Sequence, residues 1–364
     1  MPEDARVDLA TPQRRALLAL LAAWPLAGAA QPGVLAALRE LERAARAEGR
    51  LVSVGMPDDW ANWRGIWADL KKLYGVDHVD EDMTSAEEIA RMANDGINGK
   101  VDIGDVGFEY VAIARGRGVT LPHKPAVWDQ IPDWAKDGDG FWALAYTGTS
   151  AFAVNKRRVD GRVPQSWREL FAGRYAVQVG EVGSSSQANA AVLAAAFAHG
   201  GSETRLQPAL AQFARLRRED RLMTANPSIA RMERAEADVF LLWDFHALAL
   251  RERLANAADY EVLIPSDGAT TSGYSPIINR HAPHPNAAML AHEYIFSDAG
   301  QIQLARGHAR PIRLRHLQLP DGVQRQMIPA EQYRAARTVQ PAVWAWEVKK
   351  LAKAWAELTV PPRP

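Results

Sequence analysis

The sequence predicts an α/β protein of two lobes, each a mainly parallel sheet flanked by helices. Three observations carry this. A chain of 364 residues is too long for one ordinary core. Strand and helix patterns alternate from about residue 33, and the alternation resets near residue 150. With 48% hydrophobic and 24% charged residues the composition is that of a globular protein, which excludes disorder and collagen.

The first lobe opens with a helix in "VLAALRELERAARAEG", stopped at Gly49, and a short buried strand, "RLVSVGMP". Amphipathic helices follow in "WANWRGIWADLKKLYG" and "SAEEIARMANDG", then a strand in "KVDIGDVG". Ligands of such sheets sit beyond the carboxyl ends of strands, which draws attention to Asp58 and Trp60 after the first strand and to Asp105 in the second. A Pro- and Trp-dotted loop, 122–142, leads to a strand in "WALAYTGTSAFAVNK" and a helix in "VPQSWRELF".

The second block reads strand "YAVQVG", an alanine-built helix after "GSSSQ", helices "LQPALAQFARLRRE" and "SIARMERAEA", strand "DVFLLWD", helix "FHALALRERLANA" and strand "YEVLIP". "SDGATTSGYSPIINRHAPHP" then carries the chain into a helix ending in Ser-Asp-x-Gly-Gln within "NAAMLAHEYIFSDAGQIQLARG", and a tryptophan-bearing helix closes it in "AVWAWEVKKLAKAWAEL". No fixed-period repeat is found.

Forty-three basic and 43 acidic residues cancel, leaving no overall field toward nucleic acid or an anionic membrane. The chain has no cysteine, hence no disulfide, thiolate nucleophile or cysteine metal site. At the N-terminus Arg14 and Arg15 precede an apolar run, Ala16 to Leu26, and the small-x-small pattern Ala27-Gly28-Ala29. This is the pattern of a cleavable export signal over residues 1–29, by the Sec or the twin-arginine route, and it places the mature protein in the periplasm.

No catalytic motif survives inspection, and the expectation is a protein that is not an enzyme. "GSSSQ" lacks the last glycine of a nucleophile elbow, and His292-Glu293 has Phe296 where a zinc-protease helix needs its second histidine. No metal or cofactor is expected. Ser184, Ser185 and Ser186 either cap the helix they open or turn their hydroxyls, with its free N–H groups, toward a ligand. Asp244, where strand becomes helix between Trp243 and Phe245, either caps that helix or holds an ammonium group beside aromatic faces. Tyr146, Thr147 and Thr149 in "AYTGTS", and Tyr274 with Ser275 in "SGYSP", stand at expected lobe junctions.

Taken together, "EGRLVSVG", "KVDIGDVG", "YTGTSAFAVNKRRV" with "PQSWRELF", "IARMERAEADVFLLWDFHAL" and the stretch from Val262 to Arg313 resemble the periplasmic solute-binding proteins of ABC importers. The similarity is to the type II group, which includes ferric-iron, polyamine, thiamine and aminoethylphosphonate binders. It covers nearly the whole mature chain.

The resemblance implies a type II periplasmic-binding-protein fold, with residues 30–149 and 268–315 as one lobe, 150–267 and 316–364 as the other, and crossing hinge strands between them. It further implies cleft closure around a solute and delivery to an ABC permease and its ATPase by a monomer. In that arrangement Ser184 to Ser186, Trp243 and Asp244 would face Asp58, Trp60 and Asp105 across the cleft, with Tyr146, Thr147 and Tyr274 at the junction. The adjacent tyrosine pair of ferric-ion binders has no counterpart here. An amine-bearing or zwitterionic solute therefore ranks first, an anion second and ferric iron third, with an enzyme on the same fold as the alternative class.

Overall fold

The structure is a computed structural model that describes residues 32–359; the export signal expected over residues 1–29 lies outside the described residues. The first unit runs α1 (Pro32–Glu48), β1 (Arg50–Val54), α2 (Trp63–Tyr74), β2 (Asp77–Glu81), α3 (Ser85–Asp95), β3 (Ile103–Gly107), α4 (Val111–Gly116) and β4 (Thr120–Leu121). The second runs β5 (Tyr146–Asn155), α5 (Trp167–Ala172), β6 (Val177–Gln178), α6 (Ser186–Ala198), α7 (Gln207–Arg218), β7 (Leu222–Met223), α8 (Ile229–Glu233), β8 (Val239–Trp243), α9 (Asp244–Arg253) and β9 (Tyr260–Leu263). The chain returns through β10 (Ala269–Asn279), α10 (Pro285–Phe296), α11 (Asp298–Arg306) and β11 (Arg310–Pro311), and ends with α12 (Asp321–Gln326), β12 (Ala336–Thr338) and α13 (Pro341–Thr359).

Each half has a parallel centre: β1 pairs with β2 and β3, and β6 with β7 and β8. The halves are joined by β5 and β10, which run antiparallel to each other with Tyr274 opposite Tyr146. β10 continues against β3, Tyr274 lying opposite Gly107, while the far end of β5 pairs with β8, Ser150 opposite Trp243. These are the crossing strands the resemblance implied. Every residue of β5 is buried, so the alternation read in "YTGTSAFAVN" marks no solvent face; a strand covered on both sides has none.

α2 buries Trp63, Ile66, Trp67, Leu70 and Tyr74 at helical spacing and stops at Gly75, whose φ of 72° is left-handed. α6 is buried nearly all round, from Gln187 to Ala196. Alanine suits it because the helix is wedged between the sheet and α7, where larger side chains would not fit.

The structure departs from the sequence reading in three places. β2, "DHVDE", carries three acids and lies on the edge of the sheet with alternating exposure, so it has no apolar run to betray it. The stretch read as one helix ending in Ser-Asp-x-Gly-Gln is two helices: Ser297 ends α10, and its hydroxyl accepts from Gly300 N at 3.2 Å to start α11. Ser185 holds the N-cap position of α6 but makes no side-chain capping bond; Gly183 N donates instead to Asn189 Oδ1 at 2.7 Å.

Candidate functional site

Between the halves lies a cavity of about 320 Å³. One wall comes from the end of β1 and the turn after it, from α3 and from β3, and the opposite wall from the start of α6 and of α9. Of the residues singled out in the sequence, Trp60, Asp105, Ser184, Ser185, Ser186 and Tyr274 line it.

Aromatic rings form one side. Trp60 stands edge-on to Phe245 at 4.9 Å, tilted to His246 at 4.9 Å, and edge-on to Tyr274 at 5.6 Å between centroids. Two expected ligand residues stand one layer back and hold this box in place. Tyr146 stacks on Tyr274 at 5.4 Å, accepts from Trp60 Nε1 at 2.8 Å and donates to Asp105 Oδ2 at 2.5 Å. Trp243 Nε1 donates to the Tyr274 hydroxyl at 3.0 Å. Loss from water pushes His246 down to about 4, and its Nδ1 lies 3.0 Å from Gln187 Oε1, so it presents a neutral ring.

Carboxyl groups form the other side. Asp105 is 2% exposed, and its carboxyl is in hydrogen-bonding contact with the Tyr146 hydroxyl and the Trp63 indole. Burial raises it to about 8. Glu88, also lining the cavity, is 1% exposed and accepts from Asp105 N at 2.9 Å; burial, then the nearby negative charge of Asp105, pushes it well above the carboxylate range. Two glycines make room for Glu88: a Cβ on Gly55, whose φ is +67°, would meet Glu88 Oε1 at 2.3 Å, and one on Gly104 would meet Oε2 at 2.5 Å. Asp82 stands at the mouth. Among the described residues no lysine or arginine lines the cavity.

Three expected site residues are not brought to this cavity. Asp58 follows Pro57 on an exposed turn and pairs with Arg64 at 3.4 Å. Thr147 is buried within β5, opposite Gly273 and Arg310. Asp244 is the first residue of α9 and points away: Oδ1 accepts from Thr149 N and Phe245 N, each at 2.9 Å, and Oδ2 from the Tyr333 hydroxyl at 2.7 Å. Both of its oxygens accept hydrogen bonds from the protein, and the carboxyl holds the α9 turn.

Conversely, Glu88, Asp82, Gln187, Asn226 and His246 line the cavity without having been singled out. Glu88 had a signal in the sequence, since it lies four residues before Met92, on the apolar face of α3. The partners of Asp244 had none, because Thr149 and Tyr333 are far from it in sequence.

Across the cavity the halves touch. Besides Trp60 on α9, Arg253 Nη1 pairs with Asp59 Oδ2 at 2.9 Å and His308 Nε2 lies 2.9 Å from Glu252 Oε2. Among the described residues there is no cluster suited to a metal ion, and no helix is long and apolar enough to cross a membrane.

Comparison with known proteins agrees with this architecture. Among solved structures the chain is similar to the periplasmic binding protein AgtB from A. tumefacien R10 in complex with agropinic acid (TM-score 0.69, 16% identity, 85% of this chain and 98% of that one). It is similar also to the apo ferric ion-binding protein A of Pasteurella haemolytica (0.67, 15%, 85% and 98%). A third is a putative spermidine/putrescine ABC transporter from Listeria monocytogenes (0.67, 12%, 85% and 98%). These likenesses establish the fold, a periplasmic-binding-protein fold. No curated protein matches the chain by sequence. The model of the bacterial extracellular solute-binding protein family matches residues 100–335, well over half of the sequence and spanning β3, both crossing strands and α6, and the chain belongs to that family.

Proposed function

We propose that the protein captures a small organic solute carrying a protonated amine, by closure of the two lobes around the cavity, and hands it to the membrane permease of an ABC importer. The lobes are taken as residues 30–149 with 268–315, and 150–267 with 316–364. The observation that carries the choice of solute is the juxtaposition of Asp105 and Glu88, both buried, with the rings of Trp60 and Tyr274 in a chamber lined, among the described residues, by no lysine or arginine. A buried carboxyl without a cation is held neutral, and an ammonium group brings the countercharge that Asp105 and Glu88 do not find among the lining residues. Aromatic faces add cation–π attraction of about 0.5 to 2 kcal/mol once water is excluded. The putative spermidine/putrescine transporter among the similar structures agrees with an amine.

On the opposite wall, Ser184, Ser185 and Ser186 with the start of α6 suit a hydroxyl, carboxylate or phosphonate at the other end of the solute. That observation favours a zwitterion over a simple amine as a second reading. The reading assigns the chain recognition and no chemistry. Native mass spectrometry of freshly purified protein tests it: a bound nitrogen-bearing cation or zwitterion is expected, and an anion without an amine, or iron, would refute it.

A further inference from the structure

A second chamber of about 500 Å³ lies beside the first, between α3 and α4 on one side and α13 on the other. Its character is different. The walls are apolar, with Ile89, Ile113, Val348 and Ala352, and α13 is pressed close at this point: a Cβ on Gly183 would lie 2.8 Å from that of Ala352. A single acid, Glu109, lines it at 2% exposure, and its Oε1 has no hydrogen-bond partner. Its carboxylate is in hydrogen-bonding contact with the Ser186 hydroxyl, on the side of the first chamber. Arg117 and Lys349, both exposed, stand at the rim.

We propose that this chamber is a separate binding site for a primary monoamine with a hydrocarbon body. A carboxyl with one unmatched oxygen in an apolar enclosure is completed by a group that supplies N–H donors and positive charge. The apolar walls bury the hydrocarbon, and the volume lies within the range of small-molecule pockets. The rim cations set the selectivity: a second ammonium would have to sit beside Arg117 and Lys349, so a diamine is excluded where a monoamine is accepted. An occupant touches α3, α4 and α13 together, and so ties the C-terminal helix to the first lobe. This site is distinct from the one proposed for the first chamber, since Asp105 does not line it, although the Glu109–Ser186 contact adjoins both.

Calorimetric titration of the full chain with hexylammonium and with putrescine tests the proposal, using wild type, Glu109→Gln, Asp105→Asn and Ala345→Phe, the last placing a ring in the second chamber from α13. Hexylammonium is expected to bind wild type and Asp105→Asn equally, to lose at least about tenfold in affinity in Glu109→Gln, and to lose all binding in Ala345→Phe. Putrescine binding is expected to be insensitive to Ala345→Phe. Absence of hexylammonium binding, or binding that Asp105→Asn removes and Glu109→Gln and Ala345→Phe leave intact, overturns it. Failure of putrescine to bind wild type would instead count against the reading of the first chamber alone.

Discussion

Replacing Asp105 with asparagine separates what the cavity costs the fold from what it gives to binding. Burial raises this carboxyl from 3.8 to about 8 in the folded protein, so the folded state binds its proton more tightly than the unfolded chain does. The sign follows: this contribution to stability is fully present below about pH 4 and is lost as pH rises toward 8. Relative to a residue that cannot ionise, the wild type should lose roughly 4 kcal/mol between pH 5 and pH 8, at about 1.4 kcal/mol per pH unit over most of that window.

Asparagine has costs of its own, since its amide replaces a carboxyl that meets the Tyr146 hydroxyl and the Trp63 indole, but these do not vary with pH. The quantity to measure is therefore the difference in melting temperature between variant and wild type, without solute, from pH 5 to 8. It should move by several degrees in favour of Asp105→Asn, while the variant binds amines at least about a hundredfold more weakly. A difference that stays flat across that range would show that Asp105 is solvated or already neutralised, and the argument for a cation would fall with it.

Amine affinity should itself rise with pH, because the ammonium must meet an ionised Asp105 whose free-state value is about 8. Up to about tenfold per unit is expected between pH 6 and 8, flattening above, in titrations with putrescine; an affinity that falls over this range would contradict the assignment. Trp60→Leu removes the ring that touches Phe245, His246 and Tyr274 and should weaken amine binding by about tenfold with little change in melting temperature, read by calorimetry and thermal scans. Replacing Ser184, Ser185 and Ser186 together with alanine should weaken a zwitterion such as 4-aminobutyrate more than putrescine; equal effects on both would remove the serines from the anionic end.

The parts of this molecule legible in its sequence are those decided locally. α2 and α3 announce themselves by spacing and stop signals, and the βαβ alternation draws attention to Trp60, beyond β1, and Asp105, within β3, both of which line the cavity. The acid choice was harder. Asp244 has the more conspicuous sequence setting, between two aromatic residues, yet the long-range partners Thr149 and Tyr333 occupy its oxygens. Glu88 reads as one charge of an ordinary amphipathic helix until the fold brings Gly55 and Gly104 against its carboxylate. Ser185 illustrates the same limit in reverse: its type and position announce a cap, but its side chain makes no capping bond. Tertiary contacts decide which of two locally sound roles a polar residue takes.

The most direct test is a calorimetric comparison at pH 8 of putrescine, 4-aminobutyrate and 2-aminoethylphosphonate with succinate and phosphate, on the wild type and on Asp105→Asn. The account predicts that at least one of the nitrogen-bearing compounds binds the wild type, that neither succinate nor phosphate does, and that the binding disappears in the variant. Tight binding of succinate or phosphate with no response to any amine, or amine binding that Asp105→Asn leaves unchanged, would contradict it.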